Sequence, residues 1–151
     1  MFGPILTRGV EIARYCMEEP YPLTLKGACA VAGNAWQENL CRPLTIGRLD
    51  HGSNGMMQWR LSRLQELKKR PHWDTLAVQC AFFKDECRSG YHDLWRMLTV
   101  DTGHELHELS DAICWTYERP ARQYAAAHER VIYSTHVYDA VRELAEQQGT
   151  S

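Results

Sequence analysis

Gly33-Asn34-Ala35-Trp36-Gln37-Glu38-Asn39-Leu40-Cys41-Arg42-Pro43 and Gly52-Ser53-Asn54-Gly55-Met56-Met57-Gln58-Trp59 are the two stretches on which the reading of this chain turns. The first carries small residues into a glutamate and then stops at a proline, as a helix does when it ends in a loop. The second is rich in the residues that turn a backbone, Gly52, Ser53, Asn54 and Gly55, and then becomes apolar. Between them Gly47 and Asp50 continue the loop character. The segment 40–55 is therefore expected to be a loop or a short irregular hairpin interrupting a helical chain.

Outward from this loop the pattern is helical. Upstream, Leu23 to Asn39 places Leu25, Cys29, Ala32 and Trp36 on one face. Gly27, Ala28, Ala30, Ala32 and Gly33 in the same helix predict that another element packs close to its backbone, because a glycine inside a helix costs about 1 kcal/mol relative to alanine. Ile5 to Met17 forms an earlier helix, closed off by Glu19-Pro20-Tyr21-Pro22. Downstream, a helix is expected from Met56 to Lys69 with Met57, Leu61, Leu64 and Lys68 in phase. Another, capped by Asp74, carries Leu76, Val78, Phe82, Phe83 and Cys87, and a short one runs from Tyr91 to Leu98. Thr102-Gly103-His104-Glu105 has the form of a capping box ahead of Leu106, Leu109, Ile113 and Cys114. Pro120 opens a last helix to about Gln147, with Tyr124, His128, Val131, Thr135, Tyr138, Val141 and Leu144 inward.

With 151 residues, 44% hydrophobic and 24% charged, the composition is that of one ordinary globular domain spanning 1–151. A net charge of −2 gives no whole-chain argument for nucleic acid or an anionic membrane. No basic start followed by an apolar run marks a signal peptide, and no run is long enough for membrane insertion. The chain reads as soluble and made in the cytoplasm. The six cysteines contain no Cys-x-x-Cys pair and allow fifteen pairings; a domain of this size needs none of them, so buried free thiols are expected.

Taken in order, the two stretches resemble the lysozyme-like superfamily of soluble lytic transglycosylases and goose-type lysozymes, in which Glu-Ser-x-x-x-Pro precedes Gly-x-x-Gly-Leu-Met-Gln. They are more similar still to phage tail lysozyme domains, which read Gly-Asn-x-x-Gln-Glu-Ser, then Gly-x-x-Gln-Trp, then an aromatic-Glu-Arg-Pro-Ala element, here Tyr117-Glu118-Arg119-Pro120-Ala121. The resemblance is strongest over 23–138. It implies a mainly α, lysozyme-like helical domain whose loop lines a glycan cleft. It also implies cleavage of peptidoglycan glycan strands by a muramidase or a lytic transglycosylase, without metal or organic cofactor. The site of action would be the bacterial wall, reached in a virion tail or by export, with other phage tail or secretion-machinery proteins as partners.

Glu38 is the implied catalytic acid. Such an acid must hold a proton while it attacks the glycosidic oxygen. The negative end of the helix dipole, and apolar surface expected from Trp36 and Trp59, both favour the neutral carboxyl. Gln58 is suited to an N-acetyl group or a sugar hydroxyl. Ser53 and Asn54 are expected along the cleft, Tyr117 on its opposite wall, and Asp50 as a candidate to position water; the resemblance places Met57 in the cleft too, whereas Met56, Met57 and Trp59 by themselves read as core. Glu118 and Arg119 are read as a structural ion pair. The sequence departs from the family pattern where Asn39 replaces a serine and Met56 a leucine.

Other readings were weighed. His104-Glu105-Leu106-His107-Glu108 spaces its histidines by three, where a zinc-binding helix needs four, and reads as a polar helix face. His51 reads as a solvated loop histidine. Cysteine–histidine catalysis has no local signature, and chitin, which shares the N-acetylglucosamine unit, is an alternative substrate. The main non-enzymatic reading is a lysozyme-like module kept for glycan binding or structure in a phage tail or secretion apparatus.

Overall fold

A helix surrounded on every side needs small side chains all the way round, and that requirement organises the molecule. The computed structural model describes residues 2–45, 52–100 and 103–149. Its central element is α2 (Leu25–Asn39), in which every residue from Gly27 to Ala35 is buried. The single apolar face read from the sequence is thus too narrow. The helix starts at Thr24, whose hydroxyl accepts from Gly27 N at 3.0 Å, and ends at left-handed Leu40.

Around α2 pack α1 (Pro4–Met17), α5 (His92–Thr99), α6 (Leu106–Ala112) and α7 (Ala127–Gly149), while α4 (Leu76–Gly90) closes on α1 and α5. No strand occurs among the described residues, only an isolated bridge between Asn54 and Trp59. The architecture is mainly helical. No described helix is long and apolar enough to cross a membrane.

Two glycines allow the close packing. A β-carbon at Gly33 would stand 1.9 Å from Ser134 Oγ and 2.6–2.7 Å from the Ser134 nitrogen and the Arg130 carbonyl. One at Gly27 would stand 2.8 Å from the Leu98 carbonyl. Backbone of α7 therefore lies directly on α2, the close neighbour that the small residues predicted.

Several expectations shift. The helix expected from Met56 begins only with α3 (Leu61–Lys68), because Gln58 takes a left-handed conformation (φ 56°) and Asn54 and Trp59 exchange backbone hydrogen bonds of 3.0 and 2.9 Å. With the phase reset, Leu67 is buried and Leu61 is exposed. Thr75, not Asp74, caps α4. The capping box before α6 is Glu105 with Glu108, three residues beyond the one expected, and Thr102 lies outside the described residues.

Past Ala112 the helix widens into a π-helical turn, Ile113–Glu118, that ends at left-handed Arg119. Pro120 opens no long helix. A short 3₁₀ turn (Arg122–Tyr124) follows, and left-handed Ala126 redirects the chain into α7. The inward stripe of α7 is Arg130, Ser134, Val137 and Ala140, one position off the expected one over its first turns, and Tyr124, His128 and Thr135 are exposed. All six cysteines are buried and unbonded, and burial pushes Cys29 and Cys41 up to about 12.

Gly33→Ala is expected to destabilise the protein by about 3 kcal/mol or more, since rigid backbone as well as the Ser134 hydroxyl meets the added carbon. Chemical denaturation of the two proteins measures this directly.

Candidate functional site

Glu38 sits in the last turn of α2, facing a groove of about 790 Å³. One wall is made by Glu38, Asn39, Arg42, Thr45, Ser53 and Gln58; the other by Glu118, Arg119, Pro120, Ala121 and Tyr124. The groove is polar and carries charges of both signs.

The wall after α2 is held by amides. Asn39 Nδ2 lies 3.1–3.2 Å from the carbonyls of Arg42, Leu44 and Gly55, so the residue replacing the family's serine ties the outgoing loop to its return. Asn54 Oδ1 accepts from the Thr45 and Gly55 nitrogens at 2.9 and 2.8 Å. Gln58 Nε2 donates to Thr45 Oγ1 at 2.7 Å and to the Gly55 carbonyl at 3.0 Å. Behind them, fully buried Gln79 of α4 donates to the carbonyls of Pro43 and Trp73 and accepts from Met56 N. The sequence reading passed over Gln79, since a glutamine within an apolar helix gives no sign of its partner.

The surroundings of Glu38 differ from those expected. Trp36 stacks on Tyr133 with ring centroids 4.7 Å apart, and Trp59 is buried in the core, its indole donating to Tyr117 Oη at 2.7 Å and to Glu86 at 3.2 Å. The partner of Glu38 is instead Arg130, only 1% exposed, whose Nη2 donates to Glu38 Oε2 at 2.7 Å. The same guanidinium donates from Nη1 to Asn34 Oδ1 (2.9 Å) and from Nε to the Ala125 carbonyl (2.7 Å). Asn34 is anchored in turn on the Ala30 and Ser110 carbonyls. A buried guanidinium needs such a set of acceptors, because an unpaired charge in the interior is strongly unfavourable.

Of the residues singled out from sequence, Glu38, Gln58 and Ser53 line the groove. Met57 and Tyr117 are each 1% exposed and belong to the core, where an apolar side chain and a hydrogen-bonded phenol are best placed. The Tyr117 hydroxyl donates to Glu86 Oε1 at 2.5 Å, and Arg63 grips the same carboxylate from α3 at 3.0 and 3.2 Å. Asn54 braces the loop. Asp50 and His51 lie outside the described residues.

Glu118 supplies the opposite wall in place of Tyr117. It does not pair with Arg119, whose guanidinium donates to the Thr116 carbonyl and the Tyr91 hydroxyl. Its Oε1 is buried and has no hydrogen-bond partner among the described residues. Burial, and then the nearby Glu38 carboxylate, raise the Glu118 carboxyl well above the usual carboxylate range, against the pull of Arg130 and Arg63. The Tyr-Glu-Arg-Pro-Ala element was visible in the sequence, but which of its members faces the groove depends on the π-helical turn.

Helices packed around a buried α2, with a glutamate closing that helix at the edge of a groove, are consistent with a mainly helical, lysozyme-like domain. A family model described as phage tail lysozyme matches residues 9–141, and the chain belongs to that family. No curated protein and no solved structure matches it.

Arg130→Met is expected to cost about 3–5 kcal/mol, because it leaves Asn34 and Glu38 facing an apolar side chain. Urea denaturation at neutral pH checks it. A loss of under 1 kcal/mol would mean that the buried guanidinium does not hold α2 to α7.

Proposed function

We propose that this protein cleaves the glycan strands of peptidoglycan, at the bacterial wall and as part of a phage or prophage tail, with Glu38 as general acid. The observation that carries the reading is the position of Glu38, at the end of the central helix and inside a polar groove, in a member of the phage tail lysozyme family. A polysaccharide needs an open groove with hydrogen-bonding walls, and Ser53, Gln58, Thr45 and Asn39 furnish one such wall.

In the proposed reaction a carboxyl proton passes to the glycosidic oxygen as the bond to C1 breaks. The resulting cation is captured by water in a hydrolase, or by the sugar's own hydroxyl, closing an anhydro ring, in a lytic transglycosylase. The second course needs no positioned water and so no further carboxylate. The residues of the groove are compatible with both.

The ion pair between Arg130 and Glu38 favours a second reading, in which Glu38 is structural and the groove binds glycan without cutting it. Digestion of purified peptidoglycan by wild type and Glu38→Gln, with products read by mass spectrometry, separates the two. The enzymatic reading expects glycan products from wild type and a fall of about 100-fold or more in the variant. Reducing ends identify hydrolysis and anhydro ends transglycosylation. No products from either folded protein would establish the binding module instead, and full activity in Glu38→Gln would overturn the role of Glu38.

A further inference from the structure

One wall of the groove is polar and tied by amides, whereas part of the other is apolar. Pro120, Ala121 and Tyr124 line that stretch. Tyr124 is 70% exposed, more than any other tyrosine of the chain. Among the described residues its ring meets no other ring or cation, and its hydroxyl makes no hydrogen bond. Tyr21, the next most exposed, differs in being covered by the Arg88 guanidinium, 3.7 Å from its ring centre.

An exposed aromatic is by itself ordinary on a protein surface. This one stands on a pinned turn that lines the groove. Tyr124 N donates to the Ala121 carbonyl at 2.8 Å. The next residue, Ala125, is buried, and its carbonyl accepts from Arg130 Nε at 2.7 Å and from Cys114 Sγ at 3.7 Å. The guanidinium that fixes Ala125 also holds Glu38. One buried side chain therefore positions both the turn that presents the ring and the carboxyl at the end of α2. With the backbone held, ordering the ring costs little, since a tyrosine has only two side-chain torsions.

The chemistry of such a surface selects its ligand. A pyranose of the gluco configuration carries its substituents equatorially, so its axial C–H bonds form an apolar face and its hydroxyls and N-acetyl group a polar rim. C–H bonds pack on the electron-rich face of an aromatic ring, and the rim needs hydrogen-bonding groups around it. A groove with a bare phenol ring on one wall and polar side chains on the other meets both requirements.

We propose that Tyr124, with Pro120 and Ala121 beside it, forms a sugar-stacking subsite that takes one β-linked N-acetylhexosamine ring and leaves its rim to the wall of Asn39, Ser53 and Gln58. This rests on the glycan-cleaving reading and adds to it a residue that holds the strand by its apolar face. N-acetylglucosamine and N-acetylmuramic acid present the same face, so the subsite recognises the ring and not the lactyl group or the peptide.

Calorimetric titration of Glu38→Gln, in which the strand stays whole, tests this with two probes: the N-acetylglucosamine hexamer and soluble, uncrosslinked glycan strands prepared from peptidoglycan. Adding Tyr124→Ala is expected to weaken both about 10-fold, the loss of one covered ring face. Tyr124→Phe keeps the face and should bind within about 2-fold of its parent. Thermal stability should be the same in all three proteins, because so exposed a ring covers no core. An alanine variant that binds like its parent, or a phenylalanine variant that loses as much as alanine, overturns the subsite. So does a parent that binds neither probe. Whether wild type still releases glycan products from peptidoglycan then decides if the glycan-cleaving reading falls with it or stands alone. Should Tyr124→Ala not fold, nuclear Overhauser contacts between the Tyr124 ring protons and the axial C–H protons of the hexamer decide. Their presence supports the stack, and their absence with hexamer bound refutes it.

Discussion

A guanidinium buried to 1% exposure is the constraint to which the rest of this structure answers. Arg130 cannot stay charged in the interior unless its donors meet acceptors, and it finds three of them on two separate pieces of chain: Asn34 and Glu38 on α2, and the Ala125 carbonyl ahead of α7. For these to converge, α7 must lie on the backbone of α2, which requires the missing side chain at Gly33. Left-handed Ala126 then turns the chain into α7 between the Ala125 carbonyl and Arg130 itself. The packing of two helices and the setting of the groove's glutamate are one arrangement seen from two ends.

The groove wall shows the same preference for polar ties. Asn39, Asn54, Gln58 and Gln79 all direct side-chain amides at backbone groups of the loop and its return. Backbone in a short irregular segment has no ladder of its own to satisfy it, and side-chain amides supply what a sheet or helix would have provided. Of the four, Gln79 is wholly buried and reaches both sides of the loop, at Pro43 and at Met56.

Legibility from sequence followed the physics of each element. The first two helices and the fourth and fifth were readable because apolar spacing and flanking breakers agree there. The close approach at Gly33 was readable because two glycines in a helix require a reason. What failed depended on backbone conformation that composition does not reveal. Gln58 in a left-handed conformation postponed α3, and Ala126 reset the phase of the last helix. Arg130 escaped notice because a charged residue in an apolar stripe is read as solvent-facing until its acceptors, distant in the chain, are known. Glu38 was found through its motif, whereas Glu118, equally visible beside Pro120, was assigned to a pairing with its neighbour that Arg119 does not make.

The six unbonded thiols have a consequence for where such a chain can live. Burial denies them solvent and holds Cys29 and Cys41 far from the thiolate form through which exchange and oxidation proceed. A fold without covalent staples needs no oxidative maturation. The chain can therefore reach its folded state in reducing surroundings, with no bond left to be made afterwards.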